Sequence, residues 1–558
     1  MFAGTWNLIK LIIRRDRVKL LIWIAVIVLF AAMGPSMMAG TAGDAIAAQK
    51  GSGLSFGAVM NFITGPFEQM DLGGLVTIKF FAFLALLMAF FATLFVVRHT
   101  RANEEMGATE LMLSGRASRF APLIATLIVG TGAILLMVVL IALGMTASVN
   151  TIHGGWAAFA PVADTIRSTA TNVGGSWLFA LGMGGIGLSF LSIAAIVAQL
   201  TETSSAANGL LGVIIGITFV LRGLGDVAVK TVHGVPTASA WSLFSPFGWM
   251  QFTHSLTFPN WTPLIAFPVF AIVAIILAFI LLAKRDLAAG LLPSRKGHAR
   301  ASHVLLSDLG LTWHLQKNIF LGWLVGNVVL VALIGSMGNQ IGSIYSKSST
   351  LSDAVKNIGG SSSNLTTGLL SYMLMFVAMT TMAYAIQSLG KLRAEESSGH
   401  LENLLATKTS RIKWLLKTAL IPAVGAAVML TLSGFAIAAT ASASGVSGIN
   451  FGQYIFGTLA YWPLVALFMG IYVFCYGILP RAAGAITWII FAASLFVEEF
   501  GALIKGFPQW ISNISPLSQL SGMPAKDVNI AAFWIMLTIG IVLFLAGLIS
   551  WRRRNLTE

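Results

Sequence analysis

Long apolar runs divide this chain, and short polar segments separate them. A helix needs about 20 apolar residues to cross the hydrocarbon of a bilayer. By that length the pattern predicts membrane-crossing helices near 19–40, 74–98, 121–147, 176–200, 207–226 and 263–283. A second set is predicted near 318–337, 367–390, 413–440, 454–478, 484–504 and 530–551. The expected fold class is an all-α membrane protein with about 12 transmembrane helices, arranged as two six-helix repeats. The expected division is a first half at 1–290, a cytoplasmic linker at 291–303 and a second half at 304–558. The linker, L-L-P-S-R-K-G-H-A-R-A-S-H, is polar, basic and contains Pro and Gly.

The opening segment, M-F-A-G-T-W-N-L-I-K-L-I-I-R-R-D-R, is too short and too charged to span. Trp6, Leu8, Ile9, Ile12 and Ile13 share a face, with Lys10, Arg14, Arg15 and Arg17 reaching for head groups. That reads as an interfacial helix ahead of the first span. The stretch after the linker, L-L-S-D-L-G-L-T-W-H-L-Q-K-N, reads as a second one with Trp313 as anchor. The apolar run at 19–33 is read as an uncleaved anchor, because many spans follow it. Loops near 41–73 and 338–366, rich in Gly, Ser, Ala and Thr, follow the first span of each half.

The most polar interruption is R-A-N-E-E-M-G-A-T-E-L-M-L-S-G-R-A-S-R, Arg101 to Arg119. Shifted by 292 positions (393 minus 101), R-A-E-E-S-S-G-H-L-E-N-L-L-A-T-K-T-S-R, Arg393 to Arg411, lies on it without a gap. The pairs Arg101/Arg393, Ala102/Ala394, Glu104/Glu396, Gly107/Gly399, Glu110/Glu402, Leu113/Leu405, Ser118/Ser410 and Arg119/Arg411 are identical, eight of nineteen positions. About one would match by chance. A repeat at this spacing says that the chain is built twice.

Each twin stretch falls between the second and third spans of its half. Gly107 and Gly399 are expected to bend the chain as it leaves the membrane. The residues after them, A-T-E-L-M-L and H-L-E-N-L-L, suit a short helix with Glu110 or Glu402 in its first turn, where the dipole favours a carboxylate. So short a helix is marginal alone, and Met112, Leu113, Leu404 and Leu405 call for a surface to rest on. Two readings stand: a charged loop packed on its own helices, or a docking element for another protein.

Composition agrees with the membrane reading. The chain is 57% hydrophobic and 10% charged, against about 25% charged in soluble domains, and its mean hydropathy is +0.86. A net charge of +14 would suggest nucleic acid in a soluble protein. Here the basic residues cluster between spans: with the N-terminus inside, the inner segments collect 25 of the 34 Lys and Arg. The positive-inside rule then places both termini in the cytoplasm of a multi-pass plasma-membrane protein, with no nucleic-acid partner.

One cysteine, Cys475, rules out an intrachain disulfide, and the eight His show no metal-ligand spacing. No G-x-x-x-x-G-K-[ST] loop occurs, so no ATPase motif is recognised and no catalytic residue is assigned. Gly182, Gly184 and Gly187 spell G-x-G-x-x-G within a predicted span, where close helix packing explains them better than a nucleotide. On the outer side W-S-L-F-S-P-F, from Trp241, resembles W-I-S-N-I-S-P-L, from Trp510, with Ser245-Pro246 matching Ser515-Pro516. These suit re-entrant or interfacial segments, or ordinary interface loops. Arg222, Asp226, Glu498 and Glu499 lie near the outer ends of the fifth spans and are candidates for a gate or substrate contact, or plain interfacial charges.

The pattern E-x-x-G-x-x-E-x-L-L followed by Ser-Arg, after the second of six spans, resembles the first cytoplasmic loop of type-2 ATP-binding-cassette exporter permeases. A chain of two fused halves with this Gly-rich character is similar to exporters of polyketide-type antibiotics within that family. The match departs from the family at Met106 and at Ser397-Ser398, where further charges are common, and Leu111 is replaced by Asn403 in the second loop. The resemblance implies that the short helices are coupling helices seated in grooves of separate ATP-binding subunits, two copies or two kinds. Closure of those subunits would rock the membrane halves. It implies Arg101, Glu104, Gly107, Glu110, Leu113 and Arg119, with Arg393, Glu396, Gly399, Glu402, Leu405 and Arg411, as coupling residues. ATP and Mg would then sit on the partner, with no cofactor on this chain. The cargo would be a hydrophobic or amphipathic small molecule, and the other partner membrane lipid. The alternative is an ion-coupled secondary transporter, which would want acids or His deep within spans.

Overall fold

A computed structural model describes residues 3–52, 62, 65, 72–115, 117–153, 173–227, 231–232, 235–236, 239–287, 289–292, 302–336, 365–407, 409–501, 507–520 and 528–555. Twelve helices among them are long and apolar enough to cross a membrane. The chain divides into two compact units, Met1–Lys296 and Gly297–Glu558, and six of the twelve candidate spans fall in each. Apart from a two-residue hairpin, Thr231–Val232 with Val235–Pro236, the described residues are helix, turn and loop. Most of the predicted linker, 293–301, and most of the two Gly/Ser-rich loops lie outside the described residues.

In the first unit the spans are α1 (Thr5–Ser52), α2 (Leu72–His99), α5 (Ala121–His153), α6 (Val173–Leu200), α7 (Ser204–Val227) and α9 (Ala266–Lys284). Between them lie the short helices α3 (Arg101–Glu105), α4 (Ala108–Leu113) and α8 (Pro246–Gln251). The central helix is α6, which packs against α2, α5 and α9. Lipid tails are as apolar as Leu, so close van der Waals contact rather than escape from water must join these helices. The glycines of L-G-M-G-G-I-G supply it: a Cβ on Gly182 would run into Met250, on Gly184 into Val138 and on Gly185 into the Phe267 ring.

The second unit is built from α10 (Asp308–Ser336), α11 (Leu365–Ser397), α13 (Arg411–Ala443), α14 (Phe451–Leu459) with α15 (Trp462–Ile478), α16 (Ala483–Phe500) and α18 (Ile530–Arg553). Its short helices are α12 (His400–Leu405) and α17 (Gln509–Ile514). The most intimate pair is α15 with α18. Gly470 and Gly477 on one helix face Gly540 and Gly547 on the other, backbone to backbone. On each helix the two glycines are two turns apart and so share a face.

Three features differ from expectation. The opening basic segment is not a separate interfacial helix but the first turns of α1, which runs unbroken from Thr5 to Ser52. No Gly or Pro interrupts it between Thr5 and Met33. Asp16, buried on that helix, accepts two bonds from Arg98 of α2, at 2.7 and 2.9 Å, and lies 2.9 Å from His99. Likewise Trp313 sits inside α10, which follows a single 3-10 turn at His303–Leu306. The tenth span, expected whole at 454–478, breaks at Ala460–Tyr461 between α14 and α15. Pro463, in the first turn of α15, lacks the N–H that a continuous helix would use and forces the restart.

Candidate functional site at the twin polar loops

Both loops turn on a left-handed glycine. Gly107 has φ 71° and Gly399 φ 75°, each immediately before its short helix. A Cβ on either would meet nothing within 4 Å, so the backbone conformation, and not room, calls for glycine. The helices that follow, α4 and α12, are six residues each. They begin at positions 108 and 400, which keeps the 292-residue offset (400 minus 108). The approaches differ. Thr100 breaks the chain between α2 and α3, whereas α11 continues unbroken to Ser397.

The short helices turn the same faces inward. Thr109 and Leu401, equivalent by the offset, are buried. Met112 packs against the cluster that includes Leu8, Ile12, Phe95 and Ala121, and Leu404 and Leu405 pack against the core of the second unit. Leu113 is half-buried. Glu110 and Glu402 face outward, as does Arg119. Beside Glu110, Leu111 is 79% exposed and Met106 69%. In the second loop the matching surface is polar, with Ser397, Ser398 and Asn403 exposed.

Glu104 and Arg101 point the other way. Arg101 is completely buried. Its Nε and Nη2 donate to the carbonyl of Ala198, at 3.0 and 2.6 Å, in the last turn of α6. That carbonyl has no partner within its own helix, and a cation at a helix C-terminus meets the negative end of the dipole. Arg101 Nη1 lies 3.0 Å from Glu104 Oε2. The same oxygen accepts from Arg285 Nη1 at 2.8 Å, and Arg285 Nη2 takes Oε1. Arg285 Nε in turn donates to Gln199 Oε1 at 2.7 Å. Arg285 is the residue that caps the C-terminal end of α9.

The second unit repeats this contact with other residues. Arg554 caps the C-terminal end of α18 and donates through Nη2 to both oxygens of Glu396, at 2.9 and 3.1 Å. Arg393 Nη1 approaches Glu396 at 3.5 Å. The Arg554 guanidinium stacks on Trp551 and Tyr476, 4.8 and 5.2 Å from the ring centroids. Arg411 donates to the Arg554 carbonyl at 2.6 Å. Thus in each unit an arginine at the end of the sixth span grips the glutamate three residues before the loop glycine. Arg285 and Arg554 escaped the sequence comparison because they stand 269 apart (554 minus 285), not 292. The available signal was the basic residue closing the last apolar run of each half, A-K-R-D and W-R-R-R.

Glu105 adds a tie in the first unit alone: its Oε2 accepts from the Ser204 amide at 3.0 Å and hydroxyl at 2.6 Å, capping the start of α7. Its counterpart, Ser397, donates to its own helix at the Ala394 carbonyl. The loops therefore divide into an inward set, Arg101, Glu104, Arg393 and Glu396, and an outward set, Glu110, Arg119 and Glu402. Arg411 is half-buried between them.

The candidates at the opposite ends do not form equivalent sites. Arg222 and Asp226 are fully buried on α7 as an i,i+4 pair, Nη1 to Oδ2 3.5 Å. Arg222 also donates to the Phe62 carbonyl at 2.7 Å and lies 4.3 Å from the Phe219 ring. Glu498 and Glu499 are half-buried near the end of α16. Ser245 precedes α8, with Pro246 as its first residue, and donates to the Thr218 carbonyl at 2.7 Å. Ser515 instead ends α17, and Pro516 follows in a turn. The sequence echo places one Ser-Pro before a helix and the other after one. Among the described residues no group of three His, Cys, Asp or Glu could hold a metal ion.

Comparison with known proteins bears on the loops' setting. Residues 305–552 match the family model described as multidrug efflux system permease Rv1217c, C-terminal domain. The whole chain is similar to the multidrug efflux system permease protein Rv1217c of Mycobacterium tuberculosis, 28% identical over 562 aligned residues. The alignment covers 99% of this chain and 95% of that relative. With twelve apolar, membrane-length helices among its described residues, the chain is a multi-pass membrane protein similar to a multidrug efflux permease.

Proposed function

We propose that this chain is the membrane subunit of an ATP-driven exporter of the type-2 ATP-binding-cassette class, and that α4 and α12 are its two coupling helices. The observation that carries this reading is the pair of loops. Each has a left-handed glycine, a six-residue helix, an outward glutamate in the first turn and an inward glutamate fixed by arginine. A helix so short has little stability of its own. Set on a rigid mount with its acidic face outward, it suits a receiving groove on another protein.

In this reading the loops face the cytoplasm and each takes one ATP-binding subunit, which carries ATP and Mg. Closure of those subunits displaces the short helices, and the two six-helix halves respond by changing which side of the membrane is open. The cargo is a hydrophobic or amphipathic small molecule, in keeping with the multidrug efflux named for the relative. Exporters of polyketide-type antibiotics remain the subgroup that a fused double-length chain fits best.

The test is Glu110→Arg combined with Glu402→Arg, both on exposed faces, in the full chain reconstituted with its ATPase. Uncoupling of ATP hydrolysis from efflux of ethidium in a correctly inserted protein is the expected result. Unchanged coupling would reduce the loops to a structural role, and efflux driven by an ion gradient without ATP would favour a secondary transporter.

A further inference from the structure

We propose that Arg285 and Arg554 are positioning residues that fasten each coupling helix to the sixth span of its own unit, so that the stroke received at the loop is passed to that span. The inference rests on the reading of the loops as ATPase sockets.

Three observations carry it. The contact occurs in both units at the same structural place, the capping residue of α9 and of α18 against Glu104 and Glu396. It is made by unrelated means. In the first unit the arginine is braced by Gln199. In the second it is braced by the Trp551 and Tyr476 rings. Both engage the two oxygens of the carboxylate, through a two-pronged fork at Glu104 and through the single nitrogen Nη2 at Glu396, which restricts orientation as well as distance.

The glutamates sit three residues before the hinge glycines, on the rigid side of the turn: Glu104 before Gly107 and Glu396 before Gly399. A push on α4 therefore pivots about Gly107 and arrives at Glu104, where Arg285 offers a direct path into the end of α9. The Trp551 N–H, bonded at 3.3 Å to the Arg411 carbonyl, closes the same path onto the start of α13 in the second unit. Were these arginines only fillers of a buried corner, a lone hydrogen bond to backbone would suffice, and neither would need to reach a loop carboxylate.

The first test compares Arg285→Met, Arg554→Met and the double variant, each reconstituted with the ATPase that binds the wild-type chain. Ethidium efflux is expressed per ATP hydrolysed. The ratio is expected to fall about tenfold in the double variant, and to recover in part with Lys at both positions, which keeps the charge and, at position 285, loses the fork. An unchanged ratio in a double variant that retains its ATPase overturns the proposal.

The second test leaves the lock intact and serves if the variants do not fold. Cys475 is the only cysteine, so in a Cys475→Ser background spin labels go on Met106→Cys, on the Glu104 side of the glycine turn, and on Asp286→Cys, both exposed. The distance between them is expected to change by less than about 2 Å on ATP binding, because loop and helix end move as one body. A shift of more than about 5 Å, the size of a helical ratchet, overturns the proposal. A wild-type chain that binds no ATPase overturns the reading of the loops, and the transmission with it.

Discussion

Glu104 and Arg285 stand 181 positions apart in the chain, yet Arg285 Nη1 donates to Glu104 Oε2 at 2.8 Å. That bond joins the loop after the second span to the end of the sixth, and Glu396 with Arg554 does the same in the other unit. An ion pair this buried adds little to stability as a whole, but removing one member strands the other. Glu104 serves two arginines, so its loss removes the counter-charge of both. Glu104→Gln is expected to lower stability by about 3–5 kcal/mol, more than Arg285→Met, which leaves the carboxylate with Arg101. The order is checked by thermal unfolding of the detergent-solubilised protein. Arg554→Met should have the mildest effect, since that arginine is partly exposed.

Gly107 and Gly399 hold φ near 71° and 75° in open space. Alanine at either site fits sterically but strains the backbone by about 1–2 kcal/mol. Asparagine, which visits this region more readily, is expected to be better tolerated than alanine. Hydrogen exchange of the α4 and α12 amides reads the result: faster exchange in the alanine variants than in the asparagine ones.

The two outward faces are not alike. Leu111 is exposed beside Glu110 where the second loop carries Asn403. If both helices enter a groove, Leu111→Asn is expected to weaken ATPase retention about tenfold, roughly the worth of one buried Leu side chain. Asn403→Leu is expected to strengthen it or leave it unchanged. Titration of the ATPase onto the solubilised chain measures both, and both side chains are exposed.

Arg222 and Asp226 form a closed pair on α7. Acids inside a membrane segment are candidates for ion coupling, but this one is already matched by a cation one turn away. Asp226→Asn is expected to destabilise the first unit by about 3–5 kcal/mol by leaving the buried Arg222 charge without its carboxylate. On the proposed ATP-driven reading, efflux from vesicles is expected to be insensitive to an imposed proton gradient in the wild type and in this variant, and a gradient dependence lost in the variant would speak for the secondary-transporter reading.

Much of the fold was legible because a membrane imposes its thickness on the sequence. The third span was expected from 121 and α5 starts at Ala121, and the fourth was expected to end at 200 and α6 ends at Leu200. The glycine turns were legible too, since identity at Gly107 and Gly399 marks a backbone shape that other residues resist. Side-chain closure was not. Arg285 and Arg554 are separated by loops of different length, so no single offset aligns them, and only folding brings each to its glutamate. The break after Leu459 was signalled by Trp462-Pro463 but masked by the continuous apolar run around it. The continuity of α1 was hidden because the basic residues that suggest an interfacial helix, Lys10, Arg14, Arg15 and Arg17, sit exposed along an unbroken helix, while Asp16 among them turns inward to Arg98.

The most direct measurement is the number of ATPase subunits held by one copy of the chain, read as the mass of the complex in nanodiscs. Two loops with the same turn and the same short helix lead to the expectation of two ATPase subunits per chain, falling to fewer when Glu110 or Glu402 is reversed to Arg. A chain that carries none, or one that holds its full complement with both glutamates reversed, would contradict the claim that these loops are its sockets.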